Sequence, residues 1–413
     1  MISNYSSHLQ DSFHPEGSVF ESQGALDLSG HISLVRPIAD AEACPEGLRL
    51  AYTSKKNFLI GAFWLLACIL STSTTGPIVL MIPAKSTYVS ISWRSQCSCL
   101  IMALWSITGY IRYSRREPSD NYDACESLGL TTWEKIKKDS SPQNLFSTSL
   151  MSFFLFIWIL GLVLGCKYTL TAHADVLYCS NGVFILLIAL LTCQYVHKYE
   201  IGGYLVYGVG VLIMLSDPLA TKTGEGTNKM LGNFLAISGA LGGALFGIVS
   251  TKLKRDSDQT VCMFYLFLGH FTIQVLIFPH LEDNPLFFSL DPHFGIFGWL
   301  SNPWYAGLML LFVCPWTSIT SNYSLLECYK YWTLDIVAVF FLMEPYFAEI
   351  AAILLGQDEI PGSQTFIGVT ILSCGIALSI YGSKIKASET MNPKANVTDE
   401  LNIELSDRPS TEL

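Results

Sequence analysis

Runs of about twenty apolar residues, the length needed to cross a roughly 30 Å hydrocarbon core, recur along nearly the whole of this 413-residue chain. They read as helices over approximately 58–82, 88–111, 146–166, 173–194, 201–215, 231–250, 260–279, 304–326, 333–355 and 364–382. Backbone exposed to lipid has no water to satisfy it, so such a chain is confined to helices or a closed barrel. Runs of this length select helices. Charged residues make up only 14% of the chain, against about 25% in an average soluble domain. The pattern predicts an all-α polytopic membrane protein with ten transmembrane helices.

Charge places the ends of those helices. Polar segment 1–56 and polar tail 383–413 flank the apolar runs and read as disordered cytosolic tails. No apolar run lies near Met1, so the first span is expected to direct insertion without a cleaved signal. With both termini in the cytosol, the inner segments carry Lys55, Lys56, Arg112, Arg115, Lys137, Lys138, Lys198, Lys252, Lys330, Lys384 and Lys386, among others. The outer segments carry only Lys85, Lys167, Lys222 and Lys229. That bias is the positive-inside pattern, and adding or dropping one span would scramble it. The formal net charge of −10 sits largely in tails and aqueous loops. No extended basic surface points to nucleic acid. The twelve cysteines are scattered through apolar runs without a CxxC, which favours buried thiols over a metal or redox centre, and no cofactor is expected.

An internal echo divides the chain. Gly203-Tyr-Leu-Val-Tyr-Gly-Val-Gly210 closes the first half, and Gly368-Val-Thr-Ile-Leu-Ser-Cys-Gly375 closes the second. Each glycine pair is seven residues apart and follows an acidic turn, Glu200 in one case and Asp358-Glu359 in the other. The echo predicts two five-helix units, 57–215 (with a cytosolic loop 112–145) and 231–382, joined by an outer linker 216–230. An odd number of helices per unit inverts the second relative to the first, a common construction in secondary transporters.

The segment beginning Leu342-Met-Glu344-Pro345 and running through Glu359, Gly368 and Gly375 resembles the last two helices of the drug/metabolite transporter superfamily, with its EamA-like repeats. The opening of the sixth run, Leu231-Gly-Asn-Phe-Leu-Ala, is similar to the start of that family's second repeat. The first half departs from the pattern, with a long loop 112–145 and Ser180-Asn181-Gly182 where a proline would stand. The resemblance, closest to eukaryotic solute carriers, implies alternating access of two inverted repeats around a central cavity. It leaves the cargo open.

Ionisable groups at membrane depth are costly and mark function. Glu344 precedes Pro345, which removes a helix donor and frees a carbonyl. Arg94 can snorkel outward or neutralise an anionic solute. His270 has the ordinary pKa range for proton exchange, against a simple packing role. Two hydroxyl-rich stretches beside prolines, Ser71–Pro77 and Cys314–Asn322, contribute Thr74, Thr75, Thr317, Ser321 and Asn322 as expected cavity residues, with back-bonding inside the helix as the alternative. Glu349 stands five residues from Glu344, about 140° round an ideal helix, so only one of them readily faces a cavity. Gly239, Gly243 and Gly247, with Ala236, Ala240 and Ala244, form a small-residue face suited to helix packing.

The expected function is transport of a small polar solute or metabolite, without enzymatic activity. An intramembrane enzyme needs a paired catalytic motif, and neither Gly-x-Gly-Asp, Gly-x-Ser-x-Gly nor His-Glu-x-x-His occurs. The alternative is a receptor or scaffold derived from a transporter fold. The expected partners are a small-molecule solute, the lipid bilayer and, at most, a second copy of the chain.

Overall fold

The structure, a computed structural model, describes residues 55–115, 132–169, 171–216, 228–253, 258–281, 284–356 and 362–391. The linker residues 217–227, Glu359 and the two polar tails beyond these bounds lie outside them. Among the described residues the chain is helical without strands. Eight segments are long and apolar enough to cross a bilayer: Lys55–Ser73, Pro142–Tyr168, His173–Leu191, Lys198–Leu215, Lys229–Thr251, Gln259–Leu281, Leu334–Leu354 and Ser363–Lys386. The protein is therefore an all-α, multi-pass integral membrane protein.

In chain order the helices are α1 (Lys55–Ser73), α2 (Thr75–Leu80), α3 (Thr87–Arg115), α4 (Thr132–Asp139), α5 (Pro142–Tyr168), α6 (Thr171–Tyr178), α7 (Asn181–Leu191), α8 (Lys198–Leu215), α9 (Lys229–Leu253) and α10 (Gln259–Leu281). They are followed by α11 (Pro303–Leu308), π-helical turns over Met309–Val313 and Pro315–Thr320, α12 (Ser321–Cys328), α13 (Leu334–Phe341), α14 (Glu344–Leu354) and α15 (Ser363–Met391).

Two of the ten expected runs, 88–111 and 304–326, are helical but fall short of the eight in apolarity or continuity. The reason is chemical. Helix α3 carries Arg94, Gln96 and several serines. The second run is interrupted where Pro315 has no N–H to donate, and the backbone widens into π turns, with Thr320 Oγ1 donating to the Pro315 carbonyl at 2.8 Å. Two expected boundaries also move. Part of the loop 112–145 is helix, because Ser141 caps α5 and Asp139 at the end of α4 accepts from Tyr110 Oη at 2.9 Å. Helix α15 continues past 382 to Met391, where Ser383 and Lys386 bond to Glu200 and Asp335.

The closest packing is made by glycine. Helices α8 and α15 run antiparallel, with Gly203 against Gly375 and Gly210 against Gly368. A Cβ on Gly375 would stand 2.6 Å from the Tyr207 amide nitrogen, and one on Gly210 would stand 2.8 Å from the Gly368 carbonyl. Gly161 of α5 meets Gly239 of α9 in the same way, while Gly243 lies under the Trp158 indole. The small-residue face of α9 is thus a packing face, and Ala236, Ala240 and Ala244 on it are fully buried.

Two connections give the bundle its ends. At one end the turn after α2 meets the segment before α11: the Lys85 N–H donates to the His293 carbonyl at 3.0 Å, and Trp93 Nε1 donates to Gly295 at 2.8 Å. At the other, Lys386 of α15 binds Asp335 of α13 at 2.8 Å and lies 3.8 Å from Glu200 of α8.

The segment at the His293 end is organised by Asp291, whose Oδ1 accepts from the N–H groups of His293 and Phe294, both at 2.8 Å. Those two bonds hold its carboxyl below the usual carboxylate range. A depressed folded pKa stabilises the segment above the unfolded pKa, and that contribution is lost as pH falls through the folded value. Hydrogen-exchange protection of Gly295 and Ile296 is therefore expected to drop on acidification and, at neutral pH, in Asp291→Ala. Unchanged protection in both would show that the carboxylate does not organise this segment.

Candidate functional site

The sequence breaks three helical segments near the bundle centre, and the breaks bring polar side chains into the wall of one largely apolar cavity. At the end of α1 and the start of α2, Ser71, Thr72, Ser73, Thr74 and Thr75 each donate a hydroxyl to the carbonyl four residues back, at 2.6–2.8 Å, a pattern that bends helices. Helix α1 ends there and α2 restarts at Thr75, with Pro77 in its first turn. Helix α13 stops at Phe341, and α14 begins at Glu344 with Pro345 in its first turn. Helix α6 stops at Tyr178, and α7 begins at Asn181 although no proline is present. Ser180 N–H bonds to Leu177 and Met343 N–H bonds to Phe340, so the last two breaks share one three-residue hydrogen-bond pattern.

The cavity has a volume of about 370 Å³ and is walled by α1, α2, α3, α5, α6, the π turns, α12 and the start of α14. It reaches the surface beside exposed Thr87 and Lys167, toward the His293 end. Its floor includes Trp158 and Leu325, both buried. Beyond them an aromatic and aliphatic cluster containing Phe246, Met263, Leu326 and Phe341 closes the bundle. The other end is tied by the Glu200–Lys386–Asp335 ion pairs.

Of the residues expected from sequence, Arg94, Thr75, Thr317, Ser321, Asn322 and Glu344 are in this wall. Arg94 is 7% exposed and makes no ion pair among the described residues. Glu344 is also 7% exposed, with Thr72 and Cys179 beside it, and its Oε2 has no hydrogen-bond partner. Tyr178 lies within electrostatic reach of both, and Asp175 is the charged neighbour of Glu344. A buried guanidinium and a buried carboxyl group therefore line one cavity, and neither is in an ion pair among the described residues. Ionisable side chains at this depth are costly and mark a site of use.

Two expected residues are elsewhere. His270 is buried outside the cavity wall, 2.9 Å from Gln274 Nε2, which in turn donates to Ser95 Oγ at 3.0 Å. That polar chain ties α10 to α3, and Phe156 packs edge-on against the imidazole. Thr74 is turned toward Trp316, whose Nε1 donates to its hydroxyl at 2.8 Å. Glu349 points away from Glu344, into a separate and nearly apolar groove of about 240 Å³ shared with Tyr346 and Phe366. The wall residues that sequence reasoning did not single out include Trp158, Lys167, Asp175 and Tyr178. The triplet spacing of Asp175 and Tyr178 puts both on one helix face, the signal that was available for them.

No family model and no curated protein matches the chain. Among solved structures, one described only as a crystal structure of a protein superposes with a TM-score of 0.51 at 13% identity, over 79% of this chain and 98% of that one. The similarity is one of fold.

Proposed function

We propose that the protein carries a small polar solute across a bilayer by alternating access, as a member of the drug/metabolite transporter superfamily built from two inverted five-helix units. The observation that carries this reading is the cavity itself: it is open toward one end, closed at the other, and is lined by buried Arg94 and Glu344, neither in an ion pair among the described residues. A solute bearing an anionic group for Arg94 and a cationic or hydrogen-donating group for Glu344 or Asp175 matches that wall.

Packing supports ten spans. Helix α3, at 29 residues, is about 43 Å long and more than spans a hydrocarbon core. It and the run from α11 to α12 are the most polar spans because they supply Arg94, Thr317, Ser321 and Asn322 to the cavity. Numbering the spans α1–α2, α3, α5, α6–α7, α8, α9, α10, α11–α12, α13–α14 and α15, the most extensive contacts between the two halves follow one pairing rule, in which each span takes the role of the span five away. Span three packs on six as eight packs on one; four packs on six as nine packs on one; two packs on seven and five on ten. The two broken spans also match in length: α6 and α13 each have 8 residues, and α7 and α14 each have 11. The glycine echo of spans five and ten is the contact between them.

Lys55, Lys56, Arg112, Lys138, Lys198, Lys330 and Lys386 gather toward the Lys386 end, which the positive-inside bias assigns to the cytosol. The cavity then faces away from the cytosol. In liposomes, Glu344→Gln is expected to fold normally and to lower flux by roughly 10- to 100-fold, the equivalent of one charged hydrogen bond. Full flux in that variant would remove Glu344 from the mechanism.

A further inference from the structure

The groove beside Glu349 is built differently from the central cavity. Helix α14 packs on α1, α2 and α6, while α15 packs on α8, so α14 and α15 make little direct contact with each other. The gap between them is the groove of about 240 Å³. Its α14 wall is the stripe Tyr346, Glu349, Ile350 and Ile353, at the three- and four-residue spacing of one helix face. Phe366 and Val369 of α15 stand opposite. Ile350 and Phe366, each 54% exposed, form its lips, so it opens sideways on the apolar surface that also carries Leu354 and Ile367.

The depth of the carboxyl group follows from the helices. Tyr346 Oη donates to the Val369 carbonyl at 2.9 Å and lies 3.1 Å from Ser373 Oγ, which ties α14 to α15 across the groove. Glu349 is one turn nearer the His293 end, and α14 ends at Leu354, about 7.5 Å beyond it. The carboxyl group therefore stands below the headgroup level, at the edge of the hydrocarbon. On α15 the groove continues inward for about 10 Å from Thr365 to Leu372.

Two physical facts select an occupant. An empty apolar groove forfeits dispersion contacts along both walls, so in a bilayer a hydrocarbon chain fills it. Among the described lining residues the charged side chain is Glu349, and an ionisable group at this depth is costly enough to mark a ligand counter-ion. An anionic lipid would set like charges together. A phospholipid with an ammonium headgroup places its phosphate between that ammonium and its chains, which brings the same repulsion to the carboxylate. A single-chain lipid whose amine sits directly at the end of the chain meets neither obstacle.

We propose that this groove binds a single-chain lipid amine of the sphingoid-base kind, with its ammonium on Glu349 and its chain running past Tyr346 and Val369 toward Leu372. The site is separate from the Arg94–Glu344 cavity: Leu342 and Pro345 line the groove, whereas Glu344 between them lines the cavity. It stands independently of the transport reading.

The test is photolabelling of the full-length protein in phosphatidylcholine liposomes with sphingosine that carries a diazirine in its chain, read by mass at the labelled peptides. N-acetylsphingosine with the same diazirine is the neutral counterpart. Sphingosine is expected to label α14 and α15 saturably, and the neutral lipid at least about 10-fold less, the scale of one charged hydrogen bond. Glu349→Gln is expected to weaken sphingosine labelling by roughly 10- to 100-fold, while Glu344→Gln leaves it unchanged. Ile350→Trp, which fills the groove from its exposed lip, removes the labelling and serves where Glu349→Gln does not fold. Equal labelling by the two lipids, or displacement of sphingosine by cholesterol as strong as by unlabelled sphingosine, overturns the inference in favour of a neutral-lipid groove. Labelling that persists in Glu349→Gln or Ile350→Trp overturns it too, as does labelling confined to cavity peptides and lost in Glu344→Gln. Every readout is of binding, so a protein that labels as expected and moves no solute keeps the groove site and defeats the transport reading alone.

Discussion

Gly375→Leu is expected to abolish accumulation of correctly folded protein, and Gly203→Leu to do the same from the other side of the contact. The positions that a Cβ would need are occupied by main chain. One on Gly375 would lie 2.6 Å from the Tyr207 nitrogen and 2.7 Å from the Gly203 carbonyl. Backbone cannot rotate away as a side chain can, so α8 and α15 must separate. Overpacking of this kind costs about 1–3 kcal/mol where a core can adjust, and here both helices have lipid on their far sides. Leu205, Leu212, Phe366 and Ile367 are more than half exposed, so the glycine face is the one that α8 and α15 turn to each other. In a bilayer the contact between helices depends on close packing, since lipid tails are as apolar as leucine. The check is size-exclusion chromatography of solubilised protein. The glycine variants should lose the monodisperse peak, while Leu212→Ala on the lipid face keeps it. A normal peak for Gly375→Leu would show that the α8–α15 contact is looser than the geometry described above.

The second large effect concerns Arg94. It stands about 10 Å along α3 from Thr87, buried, without a carboxylate partner among the described residues, and in the wall of the cavity. Arg94→Met is expected to weaken binding of an anionic solute by roughly 10- to 100-fold, the loss of one charged hydrogen bond. Arg94→Lys should recover part of this, because the charge remains while the planar fork of donors is lost. The measurement is the half-saturating solute concentration for uptake into liposomes, set against the amount of folded protein. Equal affinity in the methionine variant would mean that the guanidinium serves the packing of α3 and not the solute. Partial rescue by lysine separates a binding role from a steric one.

Much of this architecture is legible in the sequence because lipid imposes a simple rule on composition. Eight of the expected runs are sufficiently apolar to stand alone. The other two blur because they carry polar side chains: Arg94 and Gln96 in α3, and the Pro315–Thr320 turns before α12. The glycine echo is visible as spacing, yet its meaning is a contact between Gly203 and Gly375 and between Gly210 and Gly368. Spacing alone does not say which helix faces which.

The site is harder to read for the same reason. Depth in the membrane singles out Glu344, Arg94 and His270 alike, but it carries no information on direction. His270 turns toward Gln274 and away from the cavity. Thr74 sits one residue from cavity-lining Thr75 but accepts from Trp316. Asp175 looks like a boundary residue because it follows an aqueous turn, and the cavity reaches far enough toward that end to include it. Asn181 is the most instructive case. The absence of a proline beside it suggests an unbroken helix, whereas Ser180 and Val183 close the same short hydrogen bonds that Met343 and Tyr346 close beside Pro345.

The central claim is that the Arg94–Glu344 cavity is one station on a path through the bilayer. Wild-type protein in liposomes, loaded in turn with unlabelled amino acids, sugar phosphates, nucleotide sugars and organic cations, tests it by counterflow of the labelled solute. Saturable counterflow for at least one class carrying an anionic group, lost in Arg94→Met, is the predicted result. Folded protein that gives neither counterflow nor binding for any class would contradict the claim and make the chain a receptor or scaffold on a transporter-like frame.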